Sequence, residues 1–525
     1  MSKVKIFLFW QFLFFSALPV LAQVDTGWVR RYNGPGNGWD QASALAVDDS
    51  GNVYATGFSG VIPSFDFDYA TIKYAPNGNT LWVRRYNGPG NDYDVATALA
   101  VDDSGNVYVT GRSDGSGTFS DYATIKYAPN GDSLWVRRYN GPANNDDYAS
   151  ALAVDNSGNA YVTGASFGFG TDLDYVTIKY APNGDTLWVR RYNGPGIISY
   201  DYASALAVDD SGNVYVTGYS VGSGTSEDYA TIKYSPAGDT VWVRRYNGPG
   251  NFEDRANALA VDGSENVYVT GWSRDSGGTF YDYATLKYAP NGDTLWVRRY
   301  NGPGNSGDYA SALAVDVSGN VYVTGWSYGS GTSYDYATIK YASNGDTLWV
   351  RRYNGPGNSD YAKALAVDDS GNVYVTGWSY GSQTLPDYAT IKYAPNGDTL
   401  WVRRYDGPPG NLDDIPYALA VDGIGNVYVT GVSIGSGTSY DYATIKYNKF
   451  GCAAKAGDAN SDYKVNLSDI IFKVNYVFKG GAKPDPLCSG DDNADNIVNL
   501  PDIIYSVNFV FKGGPAPLKS LECCL

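Results

Sequence analysis

From Trp28 onward the chain sets short apolar runs between turn residues, and the same runs return every 52 to 54 residues. Four runs fill one period. "ALAVD", as at Ala98–Asp102, and "NVYVTG", as at Asn106–Gly111, are split by Asp-Ser-Gly. "YATIKY", as at Tyr122–Tyr127, and "WVRRY", as at Trp135–Tyr139, are split by Pro-Asn-Gly. Runs rich in β-branched and aromatic residues, bounded by Gly, Pro, Asn and Asp, predict strands joined as hairpins. Gly105 can supply the left-handed residue of the first turn. Pro182 presets φ in the second, and Gly184 takes its positive-φ position. One period therefore predicts four antiparallel strands, named a to d in chain order. Apolar and polar positions alternate only weakly along them, as expected for strands covered on both faces.

Counting the runs gives the architecture. Strands a, b and c occur eight times, the last set spanning Ala418 to Tyr447. Strand d reaches eight only when the isolated copy at Trp28–Asn33 is included. The first d has no hairpin before it, and the last hairpin has no d after it. A ring resolves both deficits by pairing the N-terminal strand with the last blade, and closure removes the exposed sheet edges of an open array. The prediction is an all-β fold, an eight-bladed β-propeller closed by the N-terminal strand. An open β-solenoid or two smaller rings fit the same period but leave the seam unmatched. Small residues in "ASALAVD" place strand a at the crowded axis, and the bulky Arg-bearing strand d is outermost.

The unit "AVDDSGNVYVTG…DYATIKYAPNGDTLWVRRYNG" resembles the bacterial SBBP β-propeller repeat and, more distantly, NHL-type repeats. The resemblance covers about Trp28 to Phe450 and implies fold rather than activity.

Each unit carries an Arg pair such as Arg84-Arg85, a strand-c lysine such as Lys73, and an aspartate before strand c such as Asp68. Folding the c–d hairpin brings Asp68 to Arg84 or Arg85. Because every unit repeats the set, the reading is a structural ladder of exposed pairs, each worth ~0–1 kcal/mol. Copies differ mainly in the d–a and b–c connections, which leave an up-and-down blade on one face of the disc. That variable face holds Trp39, Phe58, Phe65, Phe67, Tyr93, Tyr200, Tyr219, Trp272, Trp326, Tyr328, Trp378 and Tyr380. It is the expected site for a glycan or protein ligand held by aromatic stacking and hydrogen bonds, with Trp39, Phe58, Tyr219, Trp272, Trp326 and Trp378 foremost. The bland reading is that these aromatics plug gaps between blades.

The chain has no histidine, which excludes Ser-His-Asp, Cys-His and His-ligated metal chemistry. A glycosidase-type carboxylate pair stays open, as in a polysaccharide-active hydrolase or lyase. Its candidates by position are Asp92, Asp94, Asp146, Asp147, Glu253, Asp254, Asp413 and Asp414, all read as solvated loop acids. The expected protein is a non-catalytic binder.

After Phe450 the pattern changes. "DANSDYKVNLSD" (Asp458 to Asp469) and the stretch Asp491 to Asp502 each precede apolar residues at helical spacing. Oxygen side chains fall at positions one, three, five, nine and twelve: Asp458, Asn460, Asp462, Asn466 and Asp469, then Asp491, Asn493, Asp495, Asn499 and Asp502. The carbonyls of Lys464 and Ile497 serve position seven. This EF-hand-like spacing predicts two Ca2+ sites, each leading into one helix. Tyr463 at the sixth position of the first loop, where glycine is usual, predicts a weaker first site. The segment from about Gly457 to Pro517 resembles a type I dockerin, which implies docking on a cohesin-like or envelope scaffold protein. Leu467-Ser468 and Leu500-Pro501 stand where the family usually has Ser-Thr, and its Lys-Arg recognition pair on the helix is missing, with Val474-Asn475 and Val507-Asn508 nearby. An ordinary cohesin is therefore not the expected partner.

Net charge is −17, which argues against nucleic acid as a partner. Residues 1–22 read as an export signal, with Lys3 and Lys5, an apolar run, and Val20-Leu21-Ala22 before cleavage. No later segment could span a bilayer as a helix. The expected product is a secreted or cell-surface monomer with a propeller over residues 23–450 and a dockerin-like domain over 451–525. Cys452 and Cys488 are expected to pair with Cys523 and Cys524, in either connectivity.

Overall fold

The computed structural model describes residues 26–517, apart from 62–65, 197–199, 278–279, 383–384, 409, 411, 436, 450–456, 458, 460–464, 482–483, 485–489, 494–496 and 516. The export signal, Phe65, the four cysteines Cys452, Cys488, Cys523 and Cys524, and the loop residues Asp458, Asn460, Asp462, Lys464 and Asp495 lie outside the described residues.

Eight four-stranded antiparallel sheets form among the described residues. In blade 1 strands a to d are Asn37–Val47, Val53–Val61, Asp66–Tyr74 and Thr80–Tyr86. Blades 2 to 7 repeat that order, each starting at the aspartate that opens strand a: Asp94, Asp147, Asp201, Asp254, Asp308 and Asp360. Blade 8 takes Asp414–Val421, Val427–Ile434 and Tyr440–Tyr447 from the end of the repeat array and Thr26–Tyr32 from the front. Trp28 faces Lys446, Val29 faces Ile445, and Arg31 faces Ala443. The seam has the pairing expected of a closed eight-bladed ring, and the open-array alternatives fall away.

The core is not one mass but eight layers, each between neighbouring blades. In one of them Tyr54, Tyr69 and Trp82 of blade 1 pack on Val107, Val109, Ile125 and Tyr127 of blade 2. The layer at the seam joins Trp28, Tyr428 and Tyr442 of blade 8 to Val53, Ile72 and Tyr74 of blade 1. Strand b is buried on both faces, which accounts for its unbroken Val-Tyr-Val-Thr-Gly run. Strand d buries little besides its tryptophan.

Two irregularities set the register. A bulge falls in strand a between Ala42 and Ala44, and again at the matching place in the other blades. There the strand-b glycine meets the backbone: a Cβ on Gly57 would lie 1.9 Å from the Gln41 carbonyl oxygen. A second shift between Lys73 and Tyr74 sets Arg84 opposite Thr71 and Arg85 opposite Ala70. The Asp-Ser-Gly turn closes as expected, with Gly105 at φ 76°.

The C-terminal segment forms two helices, α1 (Leu467–Lys479) and α2 (Leu500–Lys512). Each ends on a left-handed glycine, Gly480 and Gly513. Lys473 of α1 is fully buried and bonds the Ser506 hydroxyl of α2 at 2.7 Å and the Asp492 carboxylate.

Candidate functional site

The repeated polar residues form a frame. Arg85 Nη2 sits 2.7 Å from Asp68 Oδ2, and the equivalent pairs recur in all eight blades at 2.6–3.0 Å. They are not the exposed pairs expected: the aspartates are only 5–16% exposed, and the same guanidinium also bonds Ser59. The other arginine works between blades. Arg84 Nε donates to the Gly131 carbonyl at 2.6 Å, and Trp82 Nε1 donates to Pro129 O at 3.1 Å. Tyr69 OH reaches Ala123 O of the next blade at 3.1 Å.

The reading of Asp94, Asp147, Asp254 and Asp414 as solvated loop acids is corrected. Each is buried and accepts the N–H of the glycine that follows the preceding strand d, as Asp147 does from Gly141 at 2.6 Å. Asp40, Asp201, Asp308 and Asp360 do the same in the other four blades. A residue present in every blade does not mark one catalytic blade. Burial pushes the carboxyls of Asp40, Asp94, Asp147, Asp254, Asp308, Asp360 and Asp414 up to about 6, against the pull of the glycine N–H and a strand-b serine. Asp406 adds a local variation, standing where the other seven units have asparagine. Its carboxylate lies with those of Asp387 and Asp414, one oxygen of each within 4.8 Å of the others. Asp387 is already paired with Arg404 at 2.6 Å and Asp414 with the Gly407 N–H at 2.8 Å.

The d–a and b–c connections do meet on one face. Gly90 N–H of a d–a loop donates to Asp114 O at the end of strand b at 3.0 Å, and Gly304 does so to Tyr328 O at 3.1 Å. Aromatics cluster there in two places. On blade 1, Trp39 is 43% exposed and packs on Phe58, Phe67 and Tyr440 with ring centroids 5.9, 6.5 and 5.3 Å away. Across blades 5 to 7 the rings run without a break. Trp272 meets Tyr281 at 4.6 Å and Tyr309 at 6.0 Å; Tyr309 stacks on Trp326 at 5.5 Å; Trp326 meets Tyr361 at 5.9 Å; Tyr361 stacks on Trp378 at 4.9 Å. Phe58, Tyr219, Trp272, Trp326 and Trp378 are half-buried, so they also fill the joints between blades.

The variable face has an inner rim, around the axis where the a strands begin, and it carries cations that pattern reading passed over. Arg255 lies over Tyr219 at 4.4 Å and pairs with Glu227, and Arg274 pairs with Glu253 at 2.6 Å. Arg112 lies over Tyr93 and Tyr148. Lys363 lies over Trp326 at 5.0 Å and Trp378 at 4.7 Å. One-letter departures from the repeat consensus were the available signal.

In the C-terminal loops the described ligand candidates are Asn466, Asp469, Asp491, Asn493, Ile497, Asn499 and Asp502. Asn466 caps α1, and its side-chain oxygen takes the Ser468 N–H at 2.8 Å. Asp502 Oδ1 takes the Asp492 N–H and Oδ2 the Asn499 N–H, both at 2.9 Å. Asn499 differs from Asn466. Pro501 stands where Ser468 does and has no N–H to give, so the buried Asn499 Oδ1 keeps only the loose capping-box contact with the Asp502 N–H and makes no well-formed hydrogen bond. A buried, weakly engaged oxygen in the same loop as the carboxylates of Asp491 and Asp502 fits a hard cation. Ile497 is exposed, as a residue lending only its carbonyl can be.

Among known proteins, the model of the SBBP beta-propeller repeat matches residues 81–117, 134–168, 187–224, 295–331 and 348–382. An uncharacterized WD repeat-containing protein of Acanthamoeba polyphaga mimivirus is 24% identical over 369 residues, 58% of this chain and 25% of that protein. The regulatory protein FlaEY of Caulobacter vibrioides is 26% identical over 435 residues, 74% of this chain and 41% of that protein. The chain thus spans only a quarter to two-fifths of the curated relatives it matches. Among solved structures, the polysaccharide lyase Uly1 aligns with TM-score 0.42 and 11% identity over 80% of this chain and 91% of that one. A protein of unknown function from Bacteroides caccae aligns with TM-score 0.33 and 12% identity over 57% of this chain and 94% of that one. Repeat model and ring geometry agree: this chain is an eight-bladed β-propeller, and five of its units match the SBBP beta-propeller repeat.

Proposed function

We propose that this chain is an exported, non-catalytic binding protein whose variable face holds a glycan and whose C-terminal loop pair is a calcium-dependent docking module. One observation carries the first half: the unbroken row from Trp272 to Trp378 over blades 5 to 7, on the face where the copies diverge. Flat aromatic rings suit the C–H faces of sugars, and Ser, Gly and Asp between them supply hydrogen bonds. The opposite face repeats nearly the same Asp-Ser-Gly and Pro-Asn-Gly turns around the ring, as architecture does. Replacing Trp272, Trp326 and Trp378 together by alanine is expected to weaken retention on a glycan array more than about tenfold, since buried aromatic anchors carry most binding energy. Circular dichroism checks that the ring is intact. Unchanged retention on every glycan removes the reading.

For the second half, Asp491, Asn493, Asn499 and Asp502 with the Ile497 carbonyl would hold calcium in the second loop. Bound there, the ion gathers the loop oxygens into one cluster and fixes the start of α2. Asn466 and Asp469 belong to the equivalent first site. Matching residues of the two helices, Leu467 and Leu500, Ile471 and Ile504, Phe478 and Phe511, are 49–62% exposed. An apolar stripe on each helix supports docking on a cohesin-like or envelope scaffold protein. Adding EDTA is expected to abolish most of the helical signal of the two 13-residue helices while leaving the tryptophan emission of the ring unchanged. A helical signal indifferent to EDTA overturns the calcium assignment. No helix among the described residues is long and apolar enough to cross a membrane.

A further inference from the structure

Lys363 breaks the repeat. The same place in strand a is serine in four units (Ser43, Ser150, Ser204, Ser311), and otherwise Thr97, Asn257 and Tyr417. The small polar residues bond across to the next blade: Thr97 to Ala149 O at 2.8 Å, Asn257 to Ala310 O at 2.8 Å and Ser311 to Ala362 O at 2.9 Å. Lys363 instead places its ammonium between the indoles of Trp326 and Trp378, at 5.0 and 4.7 Å.

We propose that the blade 6–7 sector of the rim takes the anionic group of an acidic polysaccharide, with the Lys363 ammonium as the charge that reads it. The inference rests on the rim being the binding face and names its ligand class. An ammonium carries three donors, and the indole faces offset its charge without accepting hydrogen bonds in the way an oxygen does. Among the described residues Lys363 has neither a hydrogen-bond acceptor nor a carboxylate partner. The other rim cations on this side are spent, Arg255 on Glu227 and Arg274 on Glu253. Asp360, the acid nearest along strand a, takes the Gly355 N–H at 2.6 Å. Burial lowers the Lys363 pKa with no anion to restore it, and a bound carboxylate or sulfate restores it. In a chain of net charge −17 an uncompensated cation is where an anion can be held. The aromatic row points to a polymer of sugar rings rather than an isolated anion, since it spans three blades.

The test uses the whole chain with calcium present, in affinity electrophoresis through polygalacturonate, dextran sulfate and neutral dextran. Lys363→Ser restores the residue of four other units, so the ring accommodates it, and Lys363→Arg keeps the charge. Wild type is expected to be retarded by polygalacturonate or dextran sulfate, the responding polymer telling carboxylate from sulfate. Lys363→Ser should lose at least about tenfold of that affinity, and Lys363→Arg should keep most of it. Retardation by neutral dextran alone, or acidic retardation indifferent to Lys363→Ser, overturns the anionic reading and leaves the rim as a binding face. If none of these polymers retards wild type while the array registers a neutral glycan, the anionic reading falls alone. If the array is blank as well, both fall.

Discussion

Lowering the pH from 8 to 5 is expected to raise the melting temperature of the propeller by at least about 5 °C. The cause is the buried aspartate that opens strand a in every blade. Seven of the eight have carboxyls pushed up to about 6 by burial, and that of Asp201 is raised as well. In the unfolded chain such a group titrates near ~3.9. The folded state therefore binds more protons than the unfolded state between about 4 and 6, and stability falls as pH rises through that window. The contribution is complete below the unfolded pKa and lost above about 6. For the seven a two-unit shift bounds each site at about 2.7 kcal/mol, so a fraction of that over seven sites is several kcal/mol. A second ring of acids sets the lower limit. For Asp155, Asp262, Asp316 and Asp368 burial is outweighed by hydrogen bonds from the neighbouring asparagine and tyrosine, and their pKa is lowered. Their contribution is present above ~3.9 and lost as pH falls further, which puts the optimum near pH 4–5. Asp308→Asn tests the assignment, because its amide oxygen still accepts the Gly302 N–H, 2.7 Å from the native carboxylate, and carries no charge. It should melt above wild type at pH 8 and level with it at pH 5. A melting temperature that is flat or falls from pH 8 to 5 contradicts the argument.

These aspartates also mark where sequence reasoning stops. The strands, their turns and the pairing of the front strand with the last blade were readable because each depends on local pattern and on counting. Trp28 lies opposite Lys446 as that count requires. The choice of Arg85 over Arg84 for Asp68 was not readable, since one bulge between Lys73 and Tyr74 decides it. Nor were the bonds from Trp82 and Arg84 to the next turn, made to residues 47 positions on. A period states what repeats, not which copies touch. Asp94 looked like a loop acid because its partner, the Gly88 N–H, is placed by the folded d–a loop. Lys363 differed from its equivalents by one letter, and only the two indoles around it give that letter meaning. The candidate aromatics were found on the expected face, but their half-burial comes from the strand-a tyrosines of the same and next blade.

Removing residues 26–32 is expected to do more damage than any single substitution in the ring. That strand supplies three kinds of contact at once. Its backbone completes the outer edge of blade 8. Arg31 closes the blade-8 pair with Asp441 at 3.0 Å. Trp28 Nε1 and Arg30 Nε then cross to blade 1, at 3.0 Å from Pro76 O and 2.6 Å from Gly78 O. Truncating a buried tryptophan alone costs about 3–5 kcal/mol, and the deletion also bares the edge of Tyr440–Tyr447 to other chains. The shortened protein should melt more than about 10 °C lower and associate on size-exclusion chromatography. Sequence repetition offers the control. Grafting Ala-Pro-Asn-Gly-Asp and the excised strand directly after Tyr447 rebuilds the c–d hairpin that the other seven blades possess, so blade 8 closes within itself. The graft should recover most of the lost melting temperature and the monodisperse peak. A deletion that melts like the full chain means that the ring does not depend on its front strand. A graft that restores nothing means that the strand acts through something other than the pairing described.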